Sequence, residues 1–223
     1  MDKMKRFIDC SVNTFACNLK CHYCYVAQNY LFTQKVPKFK YSAELVGKAL
    51  TKKRLGGICM FNICASGETL IPNGVIEYTK AILEQGHYVM IVTNGMLTKR
   101  LEEIAQFPED YRKRLFFKIS YHYLELKRLN KFDLFFSNIE LIKKMKASFT
   151  VEVTPSDELI PYIDEMKDIT LKHLGALPHI TVARDESKPD YPLLTKLSKE
   201  DYIKTWGQFD SMMFNFKISV FGQ

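Results

Sequence analysis

The stretch GICMFNICASGETLIPNGVIEYTKAILEQGHYVMIVTNG, Gly57–Gly95, carries the pattern from which the fold is read. Its two runs of apolar, β-branched and aromatic residues, Gly57–Cys64 and His87–Thr93, have strand length and strand composition. Between them, GVIEYTKAILEQG spaces its apolar residues as a helix does, with Asn73 before it and Gly86 where a helix C-cap belongs. Strand, helix and strand in that order predict a right-handed βαβ unit with parallel strands. Both strands end in polar residues, CASGET after the first and TNG after the second.

The same alternation continues in both directions. Further strands are predicted at Arg6–Val12, Leu115–Ser120, Ser148–Thr154 and His179–Arg184. Helices are predicted at AELVGKALTKKRL with Ser42 as cap, at KRLEEIAQF opened by Thr98, and at DLFFSNIELIKKMK. Another, DELIPYIDEMKDITLKHLG, starts at Ser156, and Gly175 stands where its C-cap belongs. A closed eight-stranded barrel needs roughly 250 residues. Six units in 223 residues therefore predict an α/β fold of the partial (β/α)6 TIM type, a parallel sheet with outer helices. Chemistry in such folds sits at the carboxyl ends of the strands, where this chain has SVNTFAC, CASGET, TNG, SYHY, TPSDE and ARDES. Strand alternation also puts Lys118 on the face of Ser120 and Glu152 on the face of Thr154. A lysine and a glutamate inside apolar strands are costly to bury alone, so the two are expected to pair in the barrel interior.

The core is expected to span residues 1–186. Beyond it, 187–223 is read as a linker or lid carrying Pro189 and Pro192, then a short helix around Ser198–Asp210 and a strand-like FNFKISVF. Because the chain stops just past that strand, it is read as the start of a C-terminal domain that continues in a longer protein. Neither a signal peptide nor a membrane span is recognisable, and a soluble, cytoplasmic protein is expected. The net charge is +7, much of it in the clusters Lys52–Arg54, Arg112–Arg114 and Lys143–Lys146. These lie at predicted helix ends or connections, where basic residues suit the helix dipole. They are scattered and lack interleaved aromatics, so a nucleic-acid surface is not expected, whereas an anionic substrate or a protein redox partner is compatible with them.

Without an export signal, the six cysteines are expected to be thiols or metal ligands. Cys10, Cys59 and Cys64 fall in predicted strands and read as small core residues. Cys17, Cys21 and Cys24, in CNLKCHYCY, are spaced C-x3-C-x2-C. A structural zinc requires four protein ligands, and His22, adjacent to Cys21, is badly placed to be the fourth. Three thiolates on one loop at the mouth of a βα array suit a [4Fe-4S] cubane with one iron left open.

Here the sequence resembles the radical S-adenosylmethionine (radical SAM) enzymes, C-x3-C-x2-C type, from about Arg6 to Arg184. The resemblance rests on Cys17, Cys21 and Cys24 as cluster ligands, on Tyr23 before the last of them, and on strand-end motifs in family order. It implies that S-adenosyl-L-methionine chelates the open iron and is cleaved reductively, releasing a 5'-deoxyadenosyl radical that abstracts hydrogen from substrate. ASGETL then falls where the family has Gly-Gly-Glu-Pro, keeping Gly67 and Glu68 but with Ser66 and Thr69 at the outer positions. Gly67 and Glu68 are thereby expected to receive the methionine amine, and Tyr23, Asn94 in TNG, Ser120 and Val182 to contact the cofactor. His122 stands where relatives commonly have aspartate; the family's ribose-contacting arginine has no clear match in this chain, and Arg128 is no more than a candidate for it. No side chain is singled out as catalytic.

The stretch before Cys17 lacks the glycines of the glycyl-radical activases. The branch implied is the one that modifies peptides and small molecules, often with C-terminal auxiliary clusters. A peptide or protein substrate is expected, with a small metabolite as the alternative and flavodoxin or ferredoxin as electron donor. The reading from another class is a zinc-binding basic module that binds RNA.

Overall fold

Alternating apolar residues become strands and helix-spaced ones become helices along the computed structural model, which describes residues 3–209. In chain order the elements begin β1 (Arg6–Val12), α1 (Tyr25–Gln28), α2 (Ala43–Ala49), α3 (Lys52–Leu55), β2 (Cys59–Ala65), α4 (Gly74–Glu84) and β3 (Tyr88–Thr93). They continue with α5 (Thr98–Ala105), α6 (Glu109–Arg112), β4 (Leu115–Ser120), α7 (Tyr123–Leu129), α8 (Phe132–Lys144) and β5 (Ser148–Val153). A 3-10 turn (Asp157–Tyr162), α9 (Ile163–Leu174), β6 (His179–Ile180), α10 (Lys199–Trp206) and a second 3-10 turn (Gly207–Phe209) complete them. The strands form one six-stranded sheet in the order β1-β2-β3-β4-β5-β6. This is the α/β arrangement of the partial (β/α)6 type expected from the sequence, with parallel pairing at β1–β2, β2–β3, β3–β4 and β5–β6.

Local chemistry moves several boundaries. The helix expected after Ser42 is two, because Thr51 adopts an extended conformation and its hydroxyl caps α3 by accepting from the Arg54 N–H. Ser42 itself caps α2, accepting from Leu45. Asn73 makes no side-chain cap on α4. The segment after Ser156 opens as a 3-10 turn holding Pro161, whose ring is incompatible with an α-helix interior. The sixth strand is two residues long rather than six. Beyond it the chain turns back on itself, with Arg184 bridged antiparallel to Leu193. FNFKISVF and Asp210 lie outside the described residues.

The described residues fall into two compact units, one of residues 3–18, 32–119 and 133–149, the other of 19–31, 120–132 and 150–209. In the first, the register aligns Phe61, Val89 and Leu115 in one row and Ile63, Ile91 and Phe117 in the next. All six are essentially inaccessible to solvent. Beneath them α4 buries Val75, Ile76, Ile82 and Leu83, and α8 buries Phe135, Phe136, Ile139 and Ile142. The opposite face carries the polar residues, including an Asn62–Asp9 hydrogen bond of 2.8 Å and, on β4, the half-buried Lys118. His87 is a fully buried structural histidine: Nδ1 accepts from the Cys59 N–H (3.1 Å) and Nε2 bonds the Leu50 carbonyl (2.7 Å).

In the second unit Glu152 pairs in register with His179. The Thr181 N–H donates to the Val153 carbonyl (2.9 Å), extending the pairing one residue past β6. Tyr123 sits against Tyr121, Phe132 and Tyr162 with ring centroids 5.3–6.0 Å apart. The Lys127 ammonium lies over the Tyr162 ring and bonds Glu165 at 2.6 Å.

One buried side chain fixes the turn after β3. Asn138 of α8, 1% exposed, donates from Nδ2 to the Gly95 carbonyl (2.8 Å) and accepts from the Thr98 hydroxyl (2.9 Å). Asn138→Leu leaves that carbonyl and hydroxyl unpartnered in an apolar setting. It is expected to lower unfolding free energy by about 1–3 kcal/mol, read from urea denaturation.

Candidate active site

In the first unit the site is built where the chain leaves β1, β2 and β3. After β1, residues 13–18 run against residues 66–68, with the Gly67 N–H donating to the Thr14 carbonyl and the Glu68 N–H to the Ala16 carbonyl, each at 2.8 Å. A Cβ at position 67 would stand 2.1 Å from the Ala16 oxygen, so only glycine permits this approach. The glycine retained from the family motif thus brings the segment leading into the first cysteine against the end of the second strand.

Glu68 follows and is 2% exposed. Its Oε1 accepts from the Leu70 N–H (3.0 Å) and the Thr93 hydroxyl (2.7 Å), and its Oε2 from the Asn94 N–H (2.8 Å). Burial raises the carboxyl's pKa, while these donors, the Asn94 N–H first, act in the opposite direction. Three donors converging on two oxygens are what a carboxylate anion requires. Glu68 therefore brackets β2 to β3, a role that its expected assignment to the cofactor amine did not include. Asn94 is held in turn: Oδ1 accepts from the Met96 N–H (3.1 Å), while Nδ2 lies 2.7 Å from Asn18 Oδ1 and 3.9 Å from the Cys17 sulfur.

The second unit holds Cys21, Tyr23 and Cys24. The Cys24 N–H donates to the Cys21 carbonyl (3.1 Å), and the Cys24 carbonyl accepts from Ala27 and Gln28, opening α1. Gln28 fixes the loop further by donating to the carbonyls of Tyr23 and Arg184, both at 2.9 Å, and by accepting from the Glu186 N–H (3.0 Å). His22 Nε2 lies 2.9 Å from a carboxylate oxygen of Glu158. The Tyr23 hydroxyl lies 2.6 Å from His122 Nδ1. Burial and the neighbouring Cys21 and Cys24 drive the phenol's pKa well above its ordinary range. Burial also pushes the imidazole down to about 4, with Glu125 opposing. The bond therefore joins a protonated phenol to a neutral ring. Glu125 accepts from the Lys20 N–H (3.0 Å) and a two-pronged Arg128 pair at 2.9 Å, which hold its carboxyl below the usual range. That pairing engages Arg128, the candidate ribose contact, on its own helix.

Ser120 is half-buried at the end of β4. Val182 is 54% exposed and lines a cleft of about 170 Å³ with Leu193, Tyr202 and Trp206. Sequence reading missed Thr93, Asn18, Gln28 and Glu125. Thr93 was within the TNG signal, whereas Asn18, Gln28 and Glu125 also make contacts with residues far along the chain, to Asn94, Arg184 and Lys20.

The donor set fits an iron–sulfur centre. None of the three cysteines is in a disulfide, with Cys21 buried and Cys17 and Cys24 half-buried. An amide N–H stands against one of the sulfurs, a kind of contact that recurs around metal-ligating thiolates. Among the described residues no group of three or more His, Cys, Asp or Glu side chains converges on a single-ion position. In a cubane each thiolate takes a different iron, so its ligands need not share one ion's shell.

The family model of the Radical SAM superfamily matches residues 12–155, well over half the chain and including all three cysteines. A Methanocaldococcus jannaschii protein named as a glycyl-radical enzyme activating enzyme is 28% identical over 157 residues, covering 70% of this chain and 58% of that protein. The 7-carboxy-7-deazaguanine synthase of Thermoplasma acidophilum is 27% identical over 89 residues, 40% of this chain and 38% of that one. Among solved structures, anSMEcpe with bound AdoMet and Cp18Cys peptide has a TM-score of 0.65 at 18% identity, over 97% of this chain and 61% of that chain. Streptococcus suis SuiB bound to the precursor peptide SuiA has a TM-score of 0.62 at 16% identity, over 97% and 46%. These last two share the fold. The chain spans less than two thirds of the length of each of these proteins.

The neutral His122 sets a pH dependence. Its folded pKa lies below the ordinary 6.5, so between about pH 6.5 and pH 4 the unfolded chain binds a proton that the folded chain does not. Stability from this group is present above that window and is lost as pH falls through it. Unfolding free energies measured at pH ~7 and pH ~5 are expected to differ by about 1–2 kcal/mol less in His122→Gln than in wild type.

Proposed function

This chain belongs to the radical SAM superfamily, and from that premise we propose that it is an enzyme using a [4Fe-4S] cluster and S-adenosyl-L-methionine. Bound together, these groups supply one-electron cleavage of the sulfonium, giving a 5'-deoxyadenosyl radical that takes hydrogen from the substrate. The observation that carries the reading is the C-x3-C-x2-C loop following β1, three reduced cysteines inside the matched family segment. Cys17, Cys21 and Cys24 hold the three cysteine-ligated irons. The half of the site after β2 receives the methionine amine, Gly67 by close backbone approach and Glu68 by fixing the strand end, with one acceptor position of its carboxylate left over. Tyr23, Ser120 and Val182 contact the nucleotide, and Tyr23 keeps its phenol protonated while doing so. Residues 1–186 form the core.

The substrate is a peptide or protein. The name of the Methanocaldococcus jannaschii relative, which belongs to the activase branch that the glycine-poor approach to Cys17 argued against, and the peptides in the two solved structures support a polypeptide. A small metabolite is the second reading, favoured by the match to the deazaguanine synthase. The electron comes from a flavodoxin or ferredoxin, since a net charge of +7 attracts acidic partners. A reducing, cytoplasmic setting agrees with six cysteines outside disulfides. Among the described residues no helix is long and apolar enough to cross a membrane.

Anaerobic reconstitution with iron and sulfide is expected to give a brown protein absorbing near ~400 nm, which with dithionite converts S-adenosylmethionine to 5'-deoxyadenosine. Alanine at Cys17, Cys21 or Cys24 is expected to reduce that product to background. A colourless protein that holds zinc and makes no 5'-deoxyadenosine would refute the assignment.

A further inference from the structure

Asn94 was expected to touch the cofactor, yet its polar atoms are largely engaged within the protein. The residue is 5% exposed. Its backbone N–H is taken by Glu68 Oε2, and its side-chain oxygen accepts from the Met96 N–H. That second bond fixes the orientation of the amide, because a flipped side chain would set NH2 against an N–H donor. With the oxygen so placed, the two Nδ2 hydrogens have two acceptors at hand, Asn18 Oδ1 at 2.7 Å and the Cys17 sulfur at 3.9 Å.

The turn that carries this amide is braced on every side. Glu68 holds Thr93 and Asn94, the Thr93 hydroxyl accepts from the Gly95 N–H (3.1 Å), and Asn138 holds the Gly95 carbonyl. Gly95 itself has φ +71, a left-handed conformation that glycine adopts without strain. An amide dipole kept this rigid is pre-organised toward its acceptor, in a buried setting where such a contact is stronger than in water.

We propose that Asn94 is a positioning residue that donates an amide hydrogen to the Cys17 sulfur, fixing that ligand and raising the reduction potential of the cluster it holds. The inference rests on the assignment of Cys17 as an iron ligand. A hydrogen bond to a ligand sulfur stabilises the more negative oxidation state of a cluster, and such bonds are among the means by which proteins set cluster potentials. Asn18 orients the other amide hydrogen, so it supports the contact without making it.

The test is an EPR-monitored redox titration of anaerobically reconstituted protein, without S-adenosylmethionine, in wild type, Asn94→Ala and Asn94→Asp. Alanine removes the donor and is expected to move the midpoint potential to a more negative value. Aspartate, of the same size, replaces the donor by an anion and is expected to move it further in that direction. Affinity for S-adenosylmethionine, measured by equilibrium dialysis, is expected to stay within about threefold in the alanine variant, well under the tenfold that corresponds to 1.4 kcal/mol. An unmoved potential with affinity reduced tenfold or more would overturn the proposal and make Asn94 a nucleotide contact. Should the alanine variant fail to hold a cluster, wild-type protein labelled with 15N at asparagine decides. A 15N coupling to the reduced centre is expected in pulsed EPR, and its absence overturns the inference. Failure of wild-type protein to bind iron and sulfide at all would instead bring down the cluster assignment, and this inference with it.

Discussion

A carboxylate buried from water demands donors, and the demand made by Glu68 organises the first unit around it. An ionised carboxyl this deep is tolerated only when hydrogen bonds replace its hydration. The donors come from Leu70 on its own side and from Thr93 and Asn94 after the next strand. The group therefore couples the end of β2 to the end of β3. The approach at Gly67 couples β2 to the segment that leaves β1 for the first cysteine. Two adjacent residues thus locate three strand ends against one another, and Cys17 is delivered at the end of that chain of contacts.

In the second unit the cysteine loop is held by side chains remote in sequence. Gln28 closes on Tyr23 and on the backbone at Arg184 and Glu186, and Tyr23 reaches His122. Lys20 is tied through its N–H to Glu125, which the Arg128 guanidinium keeps ionised. Burial drives the phenol and the imidazole apart in proton affinity, one up and the other down. The bond between them joins two neutral groups, which leaves no net charge from this pair beside the cysteines. A neutral histidine at position 122 thus bonds the tyrosine without adding a negative charge beside Cys21 and Cys24.

Much of this was legible before any coordinate. Alternation and helical spacing located all six strands and the main helices. The errors have local physical causes. Thr51 capped a second helix where one was expected, Pro161 turned the start of another into a 3-10 turn, and β6 ended after Ile180 as the chain folded back to pair Arg184 with Leu193. Each is a case of a cap, a ring or a distant partner overriding periodicity.

Sequence by itself determined the spacing of the three cysteines and the places of the strands, because cysteine spacing and apolar period are properties of neighbours along the chain. Only the tertiary structure decided what Glu68, Asn94 and His122 do. Their roles depend on which donors and acceptors arrive from residues such as Thr93, Met96, Asn18 and Tyr23 once water has been excluded. A polar side chain leaves water only with its hydrogen bonds replaced, and in this chain most of the replacements are brought by folding rather than by adjacency.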